Sequence, residues 1–356
     1  MLMKVSKATR KFENWLGKRT SIVQHDLDLK HKLMTEHPFT FLRATFYRWA
    51  QIWPDVCPEL AKAPMVLAVG DLHVENFGTW RDSEGRLVWG INDFDETYPM
   101  PYANDLVRLA VSANLAIKSK HLKISNVRAS KAILGGYVAG LRAGGVPFVL
   151  EENHVWLREA ATGQLRNATH FWAKLDRLTT VSEIPKSAKS ALESMLPGDA
   201  YRTVHRVAGV GSLGCERFVA LANWKGGRIA REAKALAPSA YIWGNDQKGS
   251  ERILYEEIIE SACRDADPFV RVRGRWLLRR LAPDCSRIEL TQLSKKVDEQ
   301  RLLWAMGFET ANVHLGSRSM VNDVRRDISR RRHDWLHSAM KKMTEAVLED
   351  YEDWCK

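Results

Sequence analysis

Residues 65–95, MVLAVGDLHVENFGTWRDSEGRLVWGINDFD, constrain this chain more than any other stretch. An apolar run over 65–69 leads into Gly70-Asp71-Leu72-His73-Val74-Glu75-Asn76. A turn around Ser83-Glu84-Gly85 follows, and a second short strand over 87–91 ends at Asp93 and Asp95. Two strands joined by a glycine-containing turn are expected to pair as a hairpin and bring Asp71, Asn76 and Asp93 to one edge. Carboxylate and amide oxygens are hard donors, suited to Mg²⁺ and phosphate chemistry rather than to zinc or iron. The stretch therefore reads as a magnesium-dependent site built on a β unit.

Of the 356 residues 45% are hydrophobic, which excludes a disordered or fibrous protein and allows a sizeable core. The length predicts two lobes rather than one compact unit. With 54 basic against 43 acidic residues the formal charge is +11. Such a balance favours anionic partners (nucleotide phosphates, nucleic acid, an acidic protein or a membrane surface) or serves solubility alone. Five dispersed cysteines, Cys57, Cys215, Cys263, Cys285 and Cys355, form no CxxC pair, a pattern suited to reduced thiols. The segment MLMKVSKATRKF lacks an apolar core of leader length, and no apolar run approaches a bilayer span. No membrane span is expected, and the expected compartment is the cytoplasm.

Helix-period apolar positions run over 11–53 with a break at Pro38, and Phe39, Leu42, Phe46 and Trp49 share one face. A turn-rich ETYPMPYAN precedes a helix for which Asn104 or Asp105 is the expected N-cap, with Leu106, Leu109, Ala110 and Ala113 as its buried stripe. Helical patterning continues to about residue 200, interrupted at Gly144-Gly145-Val146-Pro147 and Pro197-Gly198. Strand character then appears in TVHRVAGVGSLGCERFVALA at 203–222 and again at 228–234, after the turn Lys225-Gly226-Gly227. A helix over 251–263 and a strand over 275–281, closed by Ala282-Pro283-Asp284, come next, and from about Gln292 the pattern is helical and charged. The expected division has a mainly helical lobe at 1–200 carrying the catalytic and metal segments. A small sheet-rich nucleotide-binding lobe follows at 201–290, and a C-terminal helical region at 291–356 packs on the first lobe.

Gly209-Val210-Gly211-Ser212-Leu213-Gly214 fits G-x-G-x-x-G, a pattern that purely structural turns also produce. Because 217–221 reads as a continuing strand, the arrangement matches the phosphate-covering loop of kinases and not a Rossmann turn, which opens a helix. Lys234 lies about twenty residues further on, a spacing that lets a lysine cross beneath the loop to nucleotide phosphates. Glu257 is the preferred partner for it among Glu256, Glu257 and Glu260; a solvated helix face is the competing reading. Asp71 admits two roles. In a kinase-like site it is the base or orienting carboxylate, with Asn76 and Asp93 holding the metal. In a binuclear metallophosphoesterase LAVGDLH supplies the first ligands, but no G-D-x-x-D or G-N-H follows, and Gly244-Asn245-Asp246 lacks the histidine. His73 is expected to bond the backbone and fix the turn, Asp95 to join the metal or cap the loop, and Asp105 to cap a helix and brace the catalytic turn. RRDISRRR at 325–332 reads as a charged helix face, because no aromatic residues are interleaved for base stacking.

Gly70-Asp71-x-His73-x-x-Asn76 resembles the catalytic loop of the aminoglycoside phosphotransferase and choline kinase group, and Ile91-Asn92-Asp93-Phe94 resembles its metal-binding segment. More closely, PFTFLRA at 38–44, GDLHVENFG at 70–78, NDFDE at 92–96, DLVRLA at 105–110 and GVGSLG at 209–214 resemble, in order, the blocks of bacterial domain-of-unknown-function family 2252, grouped with the kinase-like superfamily. The resemblance implies an α+β, two-lobed, protein-kinase-like (aminoglycoside phosphotransferase-like) fold. It also implies Asp71 as catalytic carboxylate, Asn76 and Asp93 as metal ligands, and Lys234 as phosphate-binding lysine beneath Gly209, Gly211, Ser212 and Gly214. ATP and Mg²⁺ are the implied cofactors. An ordinary kinase runs from glycine loop and lysine to catalytic loop, whereas here the catalytic loop precedes the glycine loop by about 140 residues, which implies circular permutation. Thr45-Phe46 after FLRA and the polar Arg231-Glu232-Ala233-Lys234 depart from the pattern. The expected activity is ATP- and Mg²⁺-dependent phosphoryl transfer to a hydroxyl of an unidentified acceptor, the basic charge favouring an anionic one. A metal-dependent phosphoesterase and a non-catalytic nucleotide-binding pseudokinase are the competing classes, with adenylyl transfer a variation.

Overall fold

The computed structural model describes residues 3–150, 154–162, 168–245, 250–283, 285 and 298–356. It opens with α1 (Val5–Gly17), α2 (Gln24–Glu36), α3 (Pro38–Ala44) and α4 (Phe46–Val56). Pro38 takes the first position of α3, where its missing N–H has no helical partner to lose. Two further breaks, at 18–23 and at Thr45, divide what the apolar period joins.

Four short strands follow: β1 (Met65–Ala68), β2 (Phe77–Arg81), β3 (Leu87–Ile91) and β4 (Tyr98–Pro101). The Ser83-Glu84-Gly85 turn joins β2 to β3, with Phe77 opposite Ile91, whereas β1 pairs with β4. The expected pairing is thereby corrected, since the apolar run before Asp71 belongs to a separate two-stranded sheet. Residues 71–76 consequently bridge two sheets. They still meet 92–95, because the Asn92 N–H donates to the Asn76 carbonyl at 2.9 Å where the hairpin ends.

The next helix, α5 (Tyr102–Lys118), has Pro101 at its N-cap. The expected cap at Asn104 or Asp105 is thereby corrected: Asp105 lies inside the first turn, where a carboxylate favours the helix dipole. α6 (Asn126–Ala143) is capped by Ser125 and ends at Gly144, whose φ of 75° suits glycine. β5 (Phe148–Val149) extends the hairpin sheet beside β3. α7 (Val155–Thr162), α8 (Ala168–Asp176) and α9 (Lys186–Glu193) then lead to β6 (Tyr201–His205), β7 (Arg217–Trp224) and β8 (Gly227–Ala235). After α10 (Ala240–Gly244) and α11 (Tyr255–Ser261) come β9 (Arg271–Arg273) and β10 (Trp276–Leu281). These last five strands form one antiparallel sheet in the order β6-β7-β8-β10-β9. The described chain closes with α12 (Glu299–His314), α13 (Val321–Arg330) and α14 (Trp335–Trp354). It is a mixed α+β protein with three small antiparallel sheets.

Strand alternation sends the residues of the five-stranded sheet to two faces. Phe218, Ala220, Ala233, Ala235, Trp276 and Leu278 pack on Ala188, Ala191 and Leu192 of α9. Val204, Val219, Leu221, Ala230 and Leu281 pack on Phe171 and Leu175 of α8. By packing, α8 and α9 go with the sheet, although the sequence grouped them with the first lobe. α10 and α11 go instead with the main core, through Tyr241, Ile242, Tyr255 and Ile258. The expected strand closure at Asp284, the lobe boundary at 290/291, the helical start at Gln292 and Asp246 lie outside the described residues.

The C-terminal helices complete the main core. α12 crosses α6 so closely that a side chain at Gly136 or Gly307 would overlap the Trp304 or Ile133 carbonyl. The basic tract of α13 and its C-cap is tied down: Arg326 to Asp323, Arg331 to Asp327, and Arg325 across to the Leu141 carbonyl of α6. No helix among the described residues is long and apolar enough to cross a membrane, and Cys57, Cys215, Cys263 and Cys355 are free thiols.

Glu309 of α12 is 1% exposed; it accepts hydrogen bonds from Asn312 Nδ2 at 2.8 Å and from the Ile91 N–H at 3.3 Å. Burial pushes its carboxyl up to about 7, against the pull of Arg264 and these two donors. The folded chain therefore holds a proton that the unfolded chain gives up near pH 4. The stability this group contributes is full below about pH 4 and is lost as pH rises through 7. Glu309→Gln is expected to flatten the fall of urea-denaturation stability between about pH 4 and pH 7; an unchanged slope would place the proton elsewhere.

Candidate active site

A cleft of about 790 Å³ separates the five-stranded sheet from the loops after β1 and β3. Its floor begins at Gly70, whose φ is 82° and where a Cβ would lie 2.5 Å from the Glu96 carbonyl, so only glycine makes this turn. The N–H groups of Val69 and Gly70 both donate to the Asp105 carboxylate, at 2.7 and 2.9 Å. His314 Nε2 bonds the same carboxylate at 3.0 Å, and Tyr137 Oη bonds His314 Nδ1 at 2.8 Å. All three side chains are buried, so α5, α6 and α12 together fix the turn that presents Asp71.

Asp71 is held by Arg108 of α5, whose Nε donates to Oδ1 at 3.0 Å and whose Nη2 reaches both Oδ1 and, at 2.7 Å, the Leu42 carbonyl. Arg108 is fully buried, its guanidinium about 5 Å from the Phe46 and Trp49 ring centres. Burial raises the Asp71 carboxyl above its ordinary range, against the opposing charges of Arg108 and Arg43. His73 Nδ1 accepts the Glu75 N–H at 3.2 Å, and the His73 carbonyl accepts the Asn76 N–H at 2.8 Å. Glu75 is paired with Arg43 at 2.6 Å.

Asn76 ties the two loops together. Its Nδ2 donates to the Asp93 carbonyl at 3.0 Å, and its Oδ1 accepts the Asp93 N–H at 2.9 Å. Lys234 comes from the end of β8 and is 1% exposed; its Nζ lies 3.3 Å from both Asp93 oxygens and also pairs with Asp95. Burial and the adjacent Asp93 carboxylate push Asp95 up to about 7, against Lys234. Asp93 is held below its ordinary range, because Lys234, the Asp95 hydrogen bond and two arginines outweigh its burial. About half of its side-chain surface is nonetheless open to the cleft.

The glycine segment is the β6–β7 connection. Gly209 (φ 77°) and Gly214 (φ 97°) flank a 3-10 turn over Val210–Ser212. It is seated on α2 and α3: the Val23 N–H donates to the Gly214 carbonyl at 2.8 Å, and Lys30 Nζ donates to the Gly211 carbonyl at 2.9 Å. A Cβ at Gly211 would lie 3.4 Å from Asp71 Oδ2 and 3.1 Å from the Arg43 carbonyl. Asp71, Asn76, Asp93, Asp95, Lys234 and the glycine segment thus converge. Glu257 does not join them: it pairs with Arg252 on the surface, while Glu256 accepts the Val272 N–H at 2.8 Å. The preferred lysine–glutamate pair is corrected to a lysine between two aspartates, because Glu257 is taken by Arg252 while Asp93 and Asp95 occupy Lys234.

Asp93, Asp95 and Asn76 offer an all-oxygen donor set, and Asp95 Oδ1 is buried without a hydrogen-bond partner. Both features suit Mg²⁺, which takes one or two carboxylates and completes its shell with phosphate oxygens and water. Among the described residues no three or more His, Cys, Asp or Glu side chains group to hold a metal, so a self-sufficient protein cage is not what the cleft offers.

Sequence reasoning missed Arg108, His314, Glu96 and Lys30. Arg108 interrupts the apolar run Leu106-Val107-x-Leu109-Ala110, a place where a charge must find a partner. Lys30 shares a helix face with Leu27 and Met34, all three buried. Glu96 has its carboxyl pushed up to about 7 by burial, although the Ala240 N–H donates to it at 2.6 Å. His314 carried no local signal.

These features define an α+β protein with a cleft, lined by both carboxylates and cations, under a glycine segment. Over residues 22–170 the chain matches the model of a family described as an uncharacterized protein conserved in bacteria (DUF2252). That span takes in Lys30, Asp71, Asn76, Asp93, Asp95, Asp105 and Arg108, and stops short of the glycine segment and Lys234. No curated protein and no solved structure matches the chain.

Lys30 has no carboxylate within ion-pair distance among the described residues, and burial lowers its pKa. A buried ammonium with one acceptor is costly without a ligand. Lys30→Met is accordingly expected to raise the stability of the ligand-free protein by about 1 kcal/mol in thermal or urea unfolding; a loss of stability would make Lys30 a structural clamp on the glycine segment.

Proposed function

We propose that the cleft binds ATP with Mg²⁺ and transfers the γ-phosphoryl group to a hydroxyl of an acceptor, in a circularly permuted kinase-like arrangement. The observation that carries this reading is the meeting of Lys234 with Asp93 and Asp95, beside Asp71, from segments about 140 residues apart in reversed order. Two features support the permuted kinase-like fold. A glycine segment joins the first two strands of an antiparallel sheet, and the lysine lies on the third. A helix, α11, separates the third strand from the last two.

Each residue has a physical task. Asp71 Oδ1 is committed to Arg108, which leaves Oδ2 to orient the acceptor hydroxyl and take its proton as the oxygen attacks phosphorus and ADP departs. Its raised pKa makes that carboxylate a stronger base than an exposed aspartate. Asp93, with Asp95 and Asn76 Oδ1 beside it, would hold Mg²⁺, which supplies charge neutralisation at the phosphates. Lys234, already aligned by the two aspartates, reaches the same phosphates, and the glycine segment covers them. Catalysis in such a site is positioning and electrostatic stabilisation.

A non-catalytic nucleotide-binding role is favoured by one observation: the glycine segment is seated against Asp71, where the acceptor hydroxyl must enter. The phosphoesterase reading gains no second ligand set among the described residues.

Thermal unfolding with ATP and Mg²⁺ is the first test. Wild type is expected to be stabilised only when both are present, and Asp93→Ala to lose the response. Asp71→Asn should retain nucleotide stabilisation while its turnover of labelled ATP falls by about 10³-fold or more. A wild type that does not respond would sink the reading, and full stabilisation without turnover in any acceptor screen would select the non-catalytic role.

A further inference from the structure

Lys234 cannot be the main source of free positive charge in the cleft, since two carboxylates already face it. The excess lies one residue pair away on the same face of the sheet. Glu232 of β8 is fully buried and receives three guanidinium groups. Arg217 of β7 reaches Oε1 at 3.3 Å, Arg279 of β10 reaches the same oxygen at 2.6 Å, and Arg206, just after β6, pairs with Oε2. Three cations on one carboxylate leave a net charge of about +2 at a place where one arginine would complete a structural pair. All three arginines line the cleft, and they keep only 5% to 24% of their side-chain surface exposed.

The cluster belongs to the glycine segment. Arg206 and Arg217 stand at its two ends, joined by a backbone hydrogen bond of 3.1 Å from the Arg206 N–H to the Arg217 carbonyl. Arg217 Nη2 also donates to Ser212 Oγ at 2.8 Å, inside the glycine turn. The cluster is close enough to Asp93 for Arg279 and Arg217 to help keep that carboxylate ionised. Guanidinium forks match phosphate oxygens in pairs, and the excess that Asp93 leaves here suits an anion slender enough to pass beneath a loop. A nucleic-acid backbone or a protein surface is too broad for side chains this enclosed.

We propose that Arg206, Arg217 and Arg279, held by Glu232, form an anion subsite beneath the glycine segment that takes the polyphosphate tail of the nucleotide. The subsite rests on the nucleotide reading for the identity of its ligand, but its affinity for a bare polyphosphate does not require catalysis.

Inorganic tripolyphosphate, titrated calorimetrically into the full-length protein without Mg²⁺, tests it. Wild type is expected to bind one equivalent. Arg206→Met and Arg279→Met should each weaken binding by about tenfold or more. Arg206→Lys, which keeps the charge and loses the fork, should weaken it by several-fold. Arg326→Met, on the exposed face of α13, is the control and should bind as wild type does. Circular dichroism on each variant separates lost binding from lost folding, and Arg206→Lys is the variant to use if the methionine forms do not fold. No binding by wild type, or an equal loss in the Arg326 control, would overturn the subsite. Tripolyphosphate bound in a protein that neither binds nor turns over ATP would keep the subsite and sink the kinase reading. ATP bound and turned over normally by folded Arg206→Met and Arg279→Met would do the reverse.

Discussion

The Asp105 carboxylate is the interaction on which the rest of the cleft depends. It accepts two consecutive backbone N–H groups of the turn before Asp71 and a ring nitrogen of His314, all in a buried setting. Donors of this kind cannot be left without an acceptor in the interior except at a cost of about 1–3 kcal/mol each. The turn therefore has one conformation, and Asp71 has one position. Everything else in the site is arranged relative to that position: Arg108 against Oδ1, Gly211 against Oδ2, and Asn76 linking the following residues to the Asp93 loop.

Charge balance in the cleft is local rather than general. Asp93 and Asp95 share Lys234, Asp71 is matched by Arg108, and Glu75 by Arg43. Beside the glycine segment, two places carry an excess of positive charge. Among the described residues Lys30 has a carbonyl but no carboxylate within ion-pair distance, and Glu232 has three arginines. The +11 charge of the whole chain says nothing about where an anion would sit; the proposed anion subsite rests instead on these local excesses, both of which adjoin the glycine segment.

Much of the site was legible because its chemistry is written in short contiguous runs. Asp71, Asn76, Asp93 and the glycine segment each stand in a motif whose residue types have few other uses together, and Lys234 lay at a spacing that a strand hairpin converts into proximity. What was not legible depended on three-dimensional choice. Nothing in spacing says that β1 takes β4 as its partner, since both β1 and β2 present apolar residues to a sheet. Glu257 failed because adjacent glutamates on a short helix point in different directions, and rotation of α11 about its axis is set by Tyr255 and Ile258 in the core. His314 lies 209 positions from the carboxylate it bonds, beyond the reach of any periodicity. Arg108 and Lys30 could have been found, as charges on otherwise apolar helical stripes.

The position of His314 and Lys234 late in the chain has a consequence for how the protein is made. A ribosome releases the segment with Asp71, Asp93 and Asp95 first, and for some time no lysine is present to offset the aspartate pair and no imidazole to brace the carboxylate behind the turn. Nascent chains order units as they emerge, yet here the earliest unit is completed by the latest, because α12 must cross α6 to deliver His314. An arrested or truncated product would carry Asp71, Asn76, Asp93 and Asp95 and still lack the residues that complete the cleft.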